Sequence, residues 1–263
     1  MKLFDLHNDV LTAKTDVIKE IKGYPPFVTV VTAVYRENNL FFDIIGFLNT
    51  LEKLKDSNTF LAFEDVGYLG LDFNALSKLK PIYCSLTHND ENLLGYGVNE
   101  NKPLKPMGLE AIEVFNENNI SVDLSHLSIK GSLQAVQNAK KVMISHTAFN
   151  GVFKHKRNVS DGLIIDVISK GGIIGLTLVG YFLTLKSATI YDVIKHIDYF
   201  TSKFGEDNLC IGTDYNGTNY LPKGLTKYTH FITLKEELLK LGYKEETVNK
   251  IFYYNAYNYF SAK

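Results

Sequence analysis

Six short apolar runs in this 263-residue chain end in a residue that can bind a metal or move a proton. Four end in histidine: LFDLHND (His7), YCSLTH (His88), VDLSH (His126) and VMISH (His146). Two end in a carboxylate, FLAFE (Glu64) and CIGTD (Asp214). One polar strand end is noise. Six of one chemical type, spread over about 200 residues, call for a fold that gathers many strand ends at one place.

Eight candidate strands carry this pattern onward: Leu3–Asp9, Phe27–Tyr35, Phe60–Val66, Ile82–His88, Ile120–His126, Val142–His146, Gly172–Leu178 and Leu209–Tyr215. Most are short, apolar and β-branched, as strands buried on both faces must be. Helical spacing separates them at Leu40–Lys55, Gly108–Asn118, Ser128–Lys140, Gly162–Ser169 (capped by Ser160-Asp161) and Ala188–Phe204 after Ser187. Leu234–Leu241 and Glu246–Tyr259 follow the last strand, and Leu69–Lys80 is a poor helix. Strands alternating with helices predict parallel βαβ units, and eight of them predict a (β/α)8 TIM-type barrel in one domain over 1–263, with the site at the C-terminal ends of the strands. The runner-up is an open doubly wound sheet, which would cluster the site at one switch point.

A net charge of -1 gives no case for nucleic acid or an anionic membrane. No apolar stretch approaches the roughly 20 residues that span a bilayer. Two distant cysteines, Cys84 and Cys210, argue against a disulfide framework and are expected as small barrel-core residues. MKLFDLHNDV turns polar too soon for a signal peptide, so the expected location is cytoplasmic. Only two arginines occur, Arg36 and Arg157, which raises the information carried by each.

His7 and Asp9 are two apart, so both can face a barrel mouth. Imidazole with carboxylate suits Zn²⁺ and similar ions. Alone, His-x-Asp is a weak signal and reads more readily as a surface turn pair. His126 and His146 are 20 residues apart, about one βα unit, and belong on neighbouring strand ends. With Glu64 the set reaches five ligands, enough for two metals sharing a carboxylate. Counting back by two from each site residue gives apolar or small residues, such as Leu124, Ile144, Leu86, Ala62 and Gly212, as a packed barrel interior requires. Asp5 is the exception. It is a buried carboxylate that either orients a ligand or caps a neighbouring amide.

Longer segments then become distinctive: DLHND at 5–9, FED at 63–65, SLTHNDEN at 85–92, GLEAIEVFNENNISVDLSH at 108–126, ISHTAFNGVFKHKRNV at 144–159, GGIIG at 171–175 and HIDYFTSKFGEDNLCIGTDYNG at 196–217. In this order the chain resembles the membrane (renal) dipeptidases, binuclear zinc peptidases with an amidohydrolase-like barrel. The resemblance implies two Zn²⁺ per chain. His7, Asp9 and Glu64 would hold one, and Glu64 would bridge to a second held by His126 and His146. A metal-bridging hydroxide would attack the scissile carbonyl. His88 matches the histidine that contacts substrate and steadies the oxyanion. Asp214 matches the aspartate that orients the water and passes its proton to the leaving amine. Arg157 matches the arginine that holds the substrate carboxylate, a task for a bidentate guanidinium; a solvated basic loop is the alternative. The chain is short for the family, DVGYLG replaces a Gly-rich stretch after Glu64, and Asn216 replaces an aspartate of the last motif.

The expected activity is zinc-dependent hydrolysis of a dipeptide. The alternatives are another small amide, N-acylated or containing a D-residue, and a degenerate barrel that binds metal without turnover. The only partner expected is the small-molecule substrate, with no nucleic acid and no membrane; a homodimer is left open. His196 and His230 read as structural, and His155 as a rim residue.

Overall fold

A computed structural model describes residues 1–13, 16–35, 52–54, 58–68 and 72–262. Arg36 and nearly all of the helix expected at 40–55 lie outside the described residues. The strands are β1 (Leu3–Asn8), β2 (Val28–Val34), β3 (Thr59–Phe63), β4 (Tyr83–Ser85), β5 (Ser121–Asp123), β6 (Val142–Thr147), β7 (Ile174–Leu176) and β8 (Leu209–Ile211). They form a closed barrel in sequential order, all parallel, with Asp5 of β1 paired to Ile211 of β8 across the final seam. All eight expected strands are present, each shorter at its C-terminal end except β6. Asp9, Glu64, His88, His126 and Asp214 lie just beyond the paired strands, where side chains are free to converge, whereas His7 and His146 lie within β1 and β6.

The connecting helices are α1 (Val10–Ala13), α2 (Val17–Lys22), α3 (Phe73–Ser77), α4 (Pro106–Glu117), α5 (Ile129–Asn138), α6 (Asp161–Ser169), α7 (Gly180–Leu183), α8 (Ile190–Phe204), α9 (Phe231–Lys240), α10 (Glu245–Asn249) and α11 (Asn255–Ser261). A π-helical turn, Lys250–Tyr254, joins the last two. Side-chain caps set the starts. Ser128 Oγ accepts from the Gly131 amide, and Ser160 Oγ from the Leu163 amide. Helix α8 starts later than expected, because Thr189 and Asp192 form a capping box that Ser187 cannot make.

Two apolar layers result. The larger lies between barrel and helices and holds Val122, Leu124, Val142, Ile144, Cys84 and Leu86 against residues such as Phe115, Ala135 and Val167. The smaller fills the barrel: Phe4, Leu6, Val31, Ala62, Tyr83, Met143 and Cys210, closed from below by Ala256, Tyr259 and Phe260 of α11 and its end. This corrects the alternation inferred from sequence. Counting back by two finds interior residues only on β3 and β8. On β4, β5 and β6 it finds the outer face, so Cys84 packs under helices rather than inside the barrel.

Candidate active site

Simple alternation would leave all four strand-end histidines pointing outward. Backbone irregularities turn them in. On β1 the register slips between Asp5 and Asn8, so His7 follows the interior residue Leu6 yet also faces the mouth. On β6 it slips again between Ile144 and Thr147, around His146. After β5, His126 adopts φ +66°, in the left-handed region. Asp65 (φ +60°) and Asp214 (φ +60°) do the same beyond β3 and β8. Backbone strain of this kind collects where function over-determines geometry.

The result brings every strand-end residue expected from sequence into one mouth. Ligand atoms lie within 4.8 Å of one another in three overlapping groups: His7, Asp9 and Glu64; Glu64, His88 and His126; His7, His146 and Asp214. Glu64 is central, with Oε1 3.1 Å from His126 Nε2 and 3.8 Å from His146 Nε2, and Oε2 3.8 Å from His7 Nε2. His7 Nε2 is 3.5 Å from Asp9 and 3.9 Å from Asp214. His88 stacks on His126, ring centroids 4.0 Å apart. Asn216 points away, donating to Asn8 Oδ1 at 2.9 Å, which leaves Asp214 as the strand-end aspartate.

Hydrogen bonds on the far side of each ring fix which nitrogen faces the mouth. Tyr83 OH donates to Leu6 O at 2.9 Å, so it accepts from His7 Nδ1 at 2.8 Å. Ser145 Oγ donates to Asp123 Oδ2 at 2.6 Å and accepts from His146 Nδ1 at 2.8 Å. Asn89 Oδ1 accepts from His126 Nδ1 at 2.9 Å. All three rings therefore keep a proton on Nδ1 and turn Nε2 inward, the arrangement by which outer partners orient metal-binding imidazoles. His126 Nε2 and His146 Nε2 are 2.9 Å apart. With both protons already on Nδ1, two facing lone pairs can share a cation but not a hydrogen bond. His7 Nε2, Asp9 Oδ1 and Glu64 Oε1 are buried with no hydrogen-bond partner among the described residues.

Electrostatics gives the same answer. Burial opposes charge on His7, but Asp9, Glu64 and Asp214 outweigh it and push its pKa up to about 10. Burial raises Glu64 well above the carboxylate range, and burial with the Asp9 charge pushes Asp214 up to about 8. Burial, aided by Arg157, pushes His126 well down; burial and the neighbouring cationic groups do the same to His146. Carboxylates seeking positive charge, with His126 and His146 refusing a proton beside them, make a pocket fitted to divalent cations.

Two carboxylates missed from sequence, or left open there, pin the ligand-bearing ends across barrel seams. Asp123 accepts from the amides of Ser125 (3.0 Å) and Ser145 (2.8 Å) and from both hydroxyls, joining β5 to β6 one residue before His146. Asp5 accepts from the amides of His7 (3.2 Å) and Thr213 (2.7 Å), from Thr213 Oγ1 and from Tyr228 OH, joining β1 to β8 one residue before Asp214. Asp5 thus caps amides, and by doing so positions the ends that carry His7 and Asp214. Asp123 had the same signal, a carboxylate inside an apolar run. Tyr83, Asn89 and Ser145 had none.

Arg157 is 6% exposed, with Nη2 3.4 Å from His146 O and the guanidinium 5.4 Å from the Phe182 ring centroid. The solvated-loop reading fails. Burial lowers its pKa, while Glu64 and Asp214 attract its charge.

The sequence model of the membrane dipeptidase family (peptidase family M19) matches residues 28–262. Among solved structures, dipeptidase AC, a metallopeptidase, superposes with a TM-score of 0.84 at 17% identity, covering 99% of this chain and 98% of that one. A metallopeptidase from Rhodobacter sphaeroides, bound to a phosphinate mimic of the dipeptide L-Ala-D-Ala, gives 0.84 at 16% identity with the same coverage. An amidohydrolase from Pseudomonas aeruginosa gives 0.81 at 24%, covering 98% and 95%.

Proposed function

The chain belongs to the membrane dipeptidase family and is a metallo-dipeptidase, and from that premise we propose that it holds two zinc-class ions and cleaves free dipeptides. The observation that carries the metal count is the central position of Glu64, whose two oxygens face different imidazole sets. His7, Asp9 and Glu64 would hold one ion, and Glu64, His126 and His146 the other. Two such ions supply an acidified water and a polarised carbonyl.

The chain's own groups do the rest. Asp214 lies 3.9 Å from His7 Nε2 at the mouth, where its carboxylate can take the proton of the attacking water and return it to the leaving amine. His88, partly exposed above His126, is placed to donate to the developing oxyanion. Arg157, buried and with an unpartnered Nε, is the receptor for the terminal carboxylate. A D-configured C-terminal residue is a second substrate reading, favoured by the dipeptide mimic bound in the Rhodobacter sphaeroides neighbour.

The test compares dipeptides with their amides, in both configurations at the C-terminal residue, on wild type and Arg157→Lys. Free dipeptides should be cleaved and amides poorly. The variant keeps the charge but loses the fork, so kcat/KM for free dipeptides should fall roughly 10- to 150-fold, the cost of a charge-assisted contact. Equal impairment on acids and amides would make Arg157 structural and remove the carboxylate-binding step.

A further inference from the structure

Glu64 is the first residue beyond β3, and the turn that aims it begins one step further on. Asp65 adopts φ +60°, a conformation that suits glycine and is costly for most other residues. It is also only 1% exposed, and a buried carboxylate is unfavourable unless it is hydrogen-bonded. A turn selected for stability alone would carry glycine here. Aspartate is both strained and buried, so its use lies in the contacts it makes.

Those contacts fasten the turn on two sides. The pairing of β3 with β4 ends at Phe63 and Cys84. Just beyond, the Asp65 amide donates to Ser85 Oγ at 3.0 Å, so a side chain takes over where the ladder stops. From the other side, Asp65 Oδ1 accepts from Asn92 Nδ2 at 2.7 Å. Asn92 is 8% exposed and belongs to the segment that follows His88. Its Nδ2 also donates to Leu86 O at 2.8 Å, and its Oδ1 accepts from the amides of Leu94 at 2.7 Å and Gly95 at 3.2 Å. Two amides at Oδ1 fix which end of the side chain faces Asp65. A Cβ on Gly67 would lie 2.3 Å from Asn92 Nδ2, so Gly67 leaves the space that this amide fills. Asn92 thereby ties the residue after Glu64 to the backbone two residues before His88.

We infer that Asp65 and Asn92 are a positioning pair that sets Glu64 against His88. They act through the backbone, Asp65 on the residue before it and Asn92 on the segment leading into His88. The ligand atoms of Glu64, His88 and His126 lie within 4.8 Å of one another, and a displacement near 1 Å is enough to spoil such a constellation. The inference rests on the reading of Glu64 as the shared metal ligand, and adds what holds that ligand in place.

Zinc titration against a competing chelator, with thermal melting of the same metal-free samples, tests it on wild type, Asp65→Gly and Asp65→Asn. Asp65→Gly relieves the left-handed strain but removes the acceptor for Asn92. Its melting temperature should stay within about 4 °C of wild type. Its zinc affinity should fall about 10- to 100-fold, as when a metal ligand loses its outer support. Asp65→Asn keeps an acceptor and a side chain that tolerates the same φ, so affinity should return to within about 3-fold of wild type. A residue needed only for the turn would give the reverse order, with glycine equal to or better than wild type in both measurements. Ser85→Ala loosens the same turn from the amide side at nearly constant shape; it should lower zinc affinity in the same sense, and replaces Asp65→Gly if that variant melts early. Wild-type affinity in the folded glycine or alanine variant would overturn the inference, as would Asp65→Asn binding no better than Asp65→Gly. Failure of the shared-ligand reading looks different: wild type itself would then bind no zinc, and the inference would fall with it.

Discussion

At the scale of single residues, the site depends on groups that never touch a substrate. Tyr83 is the clearest. Its hydroxyl is committed to Leu6 O, so all it offers His7 is an acceptor, and that acceptor keeps Nε2 free for a cation. Tyr83→Phe keeps the ring in the barrel interior but leaves the His7 Nδ1–H buried without a partner. Metal affinity should fall about 10- to 100-fold, the usual cost of losing an outer partner, with little change in far-UV circular dichroism. Competition with a chromogenic chelator measures it, and unchanged affinity would show that His7 is oriented by packing alone.

At the scale of elements, the strands were legible because they are buried on both faces and end in chemistry. The same apolar runs misreported which face is inside. A slip on β1, a slip on β6 and a left-handed turn at His126 each reverse the alternation within one or two residues, and no local sequence cue marks them. The convergence of the strand-end residues survived the error, because it was read from position at the strand end rather than from parity. The partners Tyr83, Asn89 and Ser145 were lost with it. The turn after β8 shows how tightly such an end is built. A Cβ on Gly217 would lie 2.1 Å from Asp9 Oδ2 and 2.3 Å from Asp214 Oδ1. Gly217→Ala should displace these carboxylates and cut kcat by about 10- to 100-fold, as misplacements near 1 Å do. Gly217 is itself exposed, so the melting temperature should hardly move. A variant with full activity would mean the carboxylates tolerate the shift.

At the scale of the whole molecule, stability carries a pH dependence from a histidine outside the mouth. His196 of α8 is fully buried, accepts from the Phe149 amide through Nδ1 at 3.2 Å and donates from Nε2 to Leu183 O at 3.2 Å. Burial pushes its pKa down to about 4 from an ordinary 6.5. The unfolded chain therefore binds the extra proton between those values. The stabilisation is complete above pH 6.5 and is lost as pH falls toward 4, by at most about 3 kcal/mol. Urea unfolding from pH 4.5 to 7 should show this slope, and His196→Gln should flatten it; an unchanged slope would assign it to other groups.

The barrel floor is sealed by the end of the described chain. Tyr259 OH donates to Val142 O at 3.0 Å and lies 3.1 Å from Ser121 Oγ beneath β5 and β6, while Phe260 stacks on Phe4, centroids 5.8 Å apart. β1 thus waits for α11 to cover it. During synthesis, interior residues such as Phe4 and Met143 stay uncovered until α11 leaves the ribosome tunnel, and in the interval the barrel depends on whatever shields exposed apolar strands. Ribosome-bound chains halted with residue 250 at the tunnel exit should be cleaved rapidly by protease, and released full-length chains should resist; equal resistance would mean that the eight strands close without their floor.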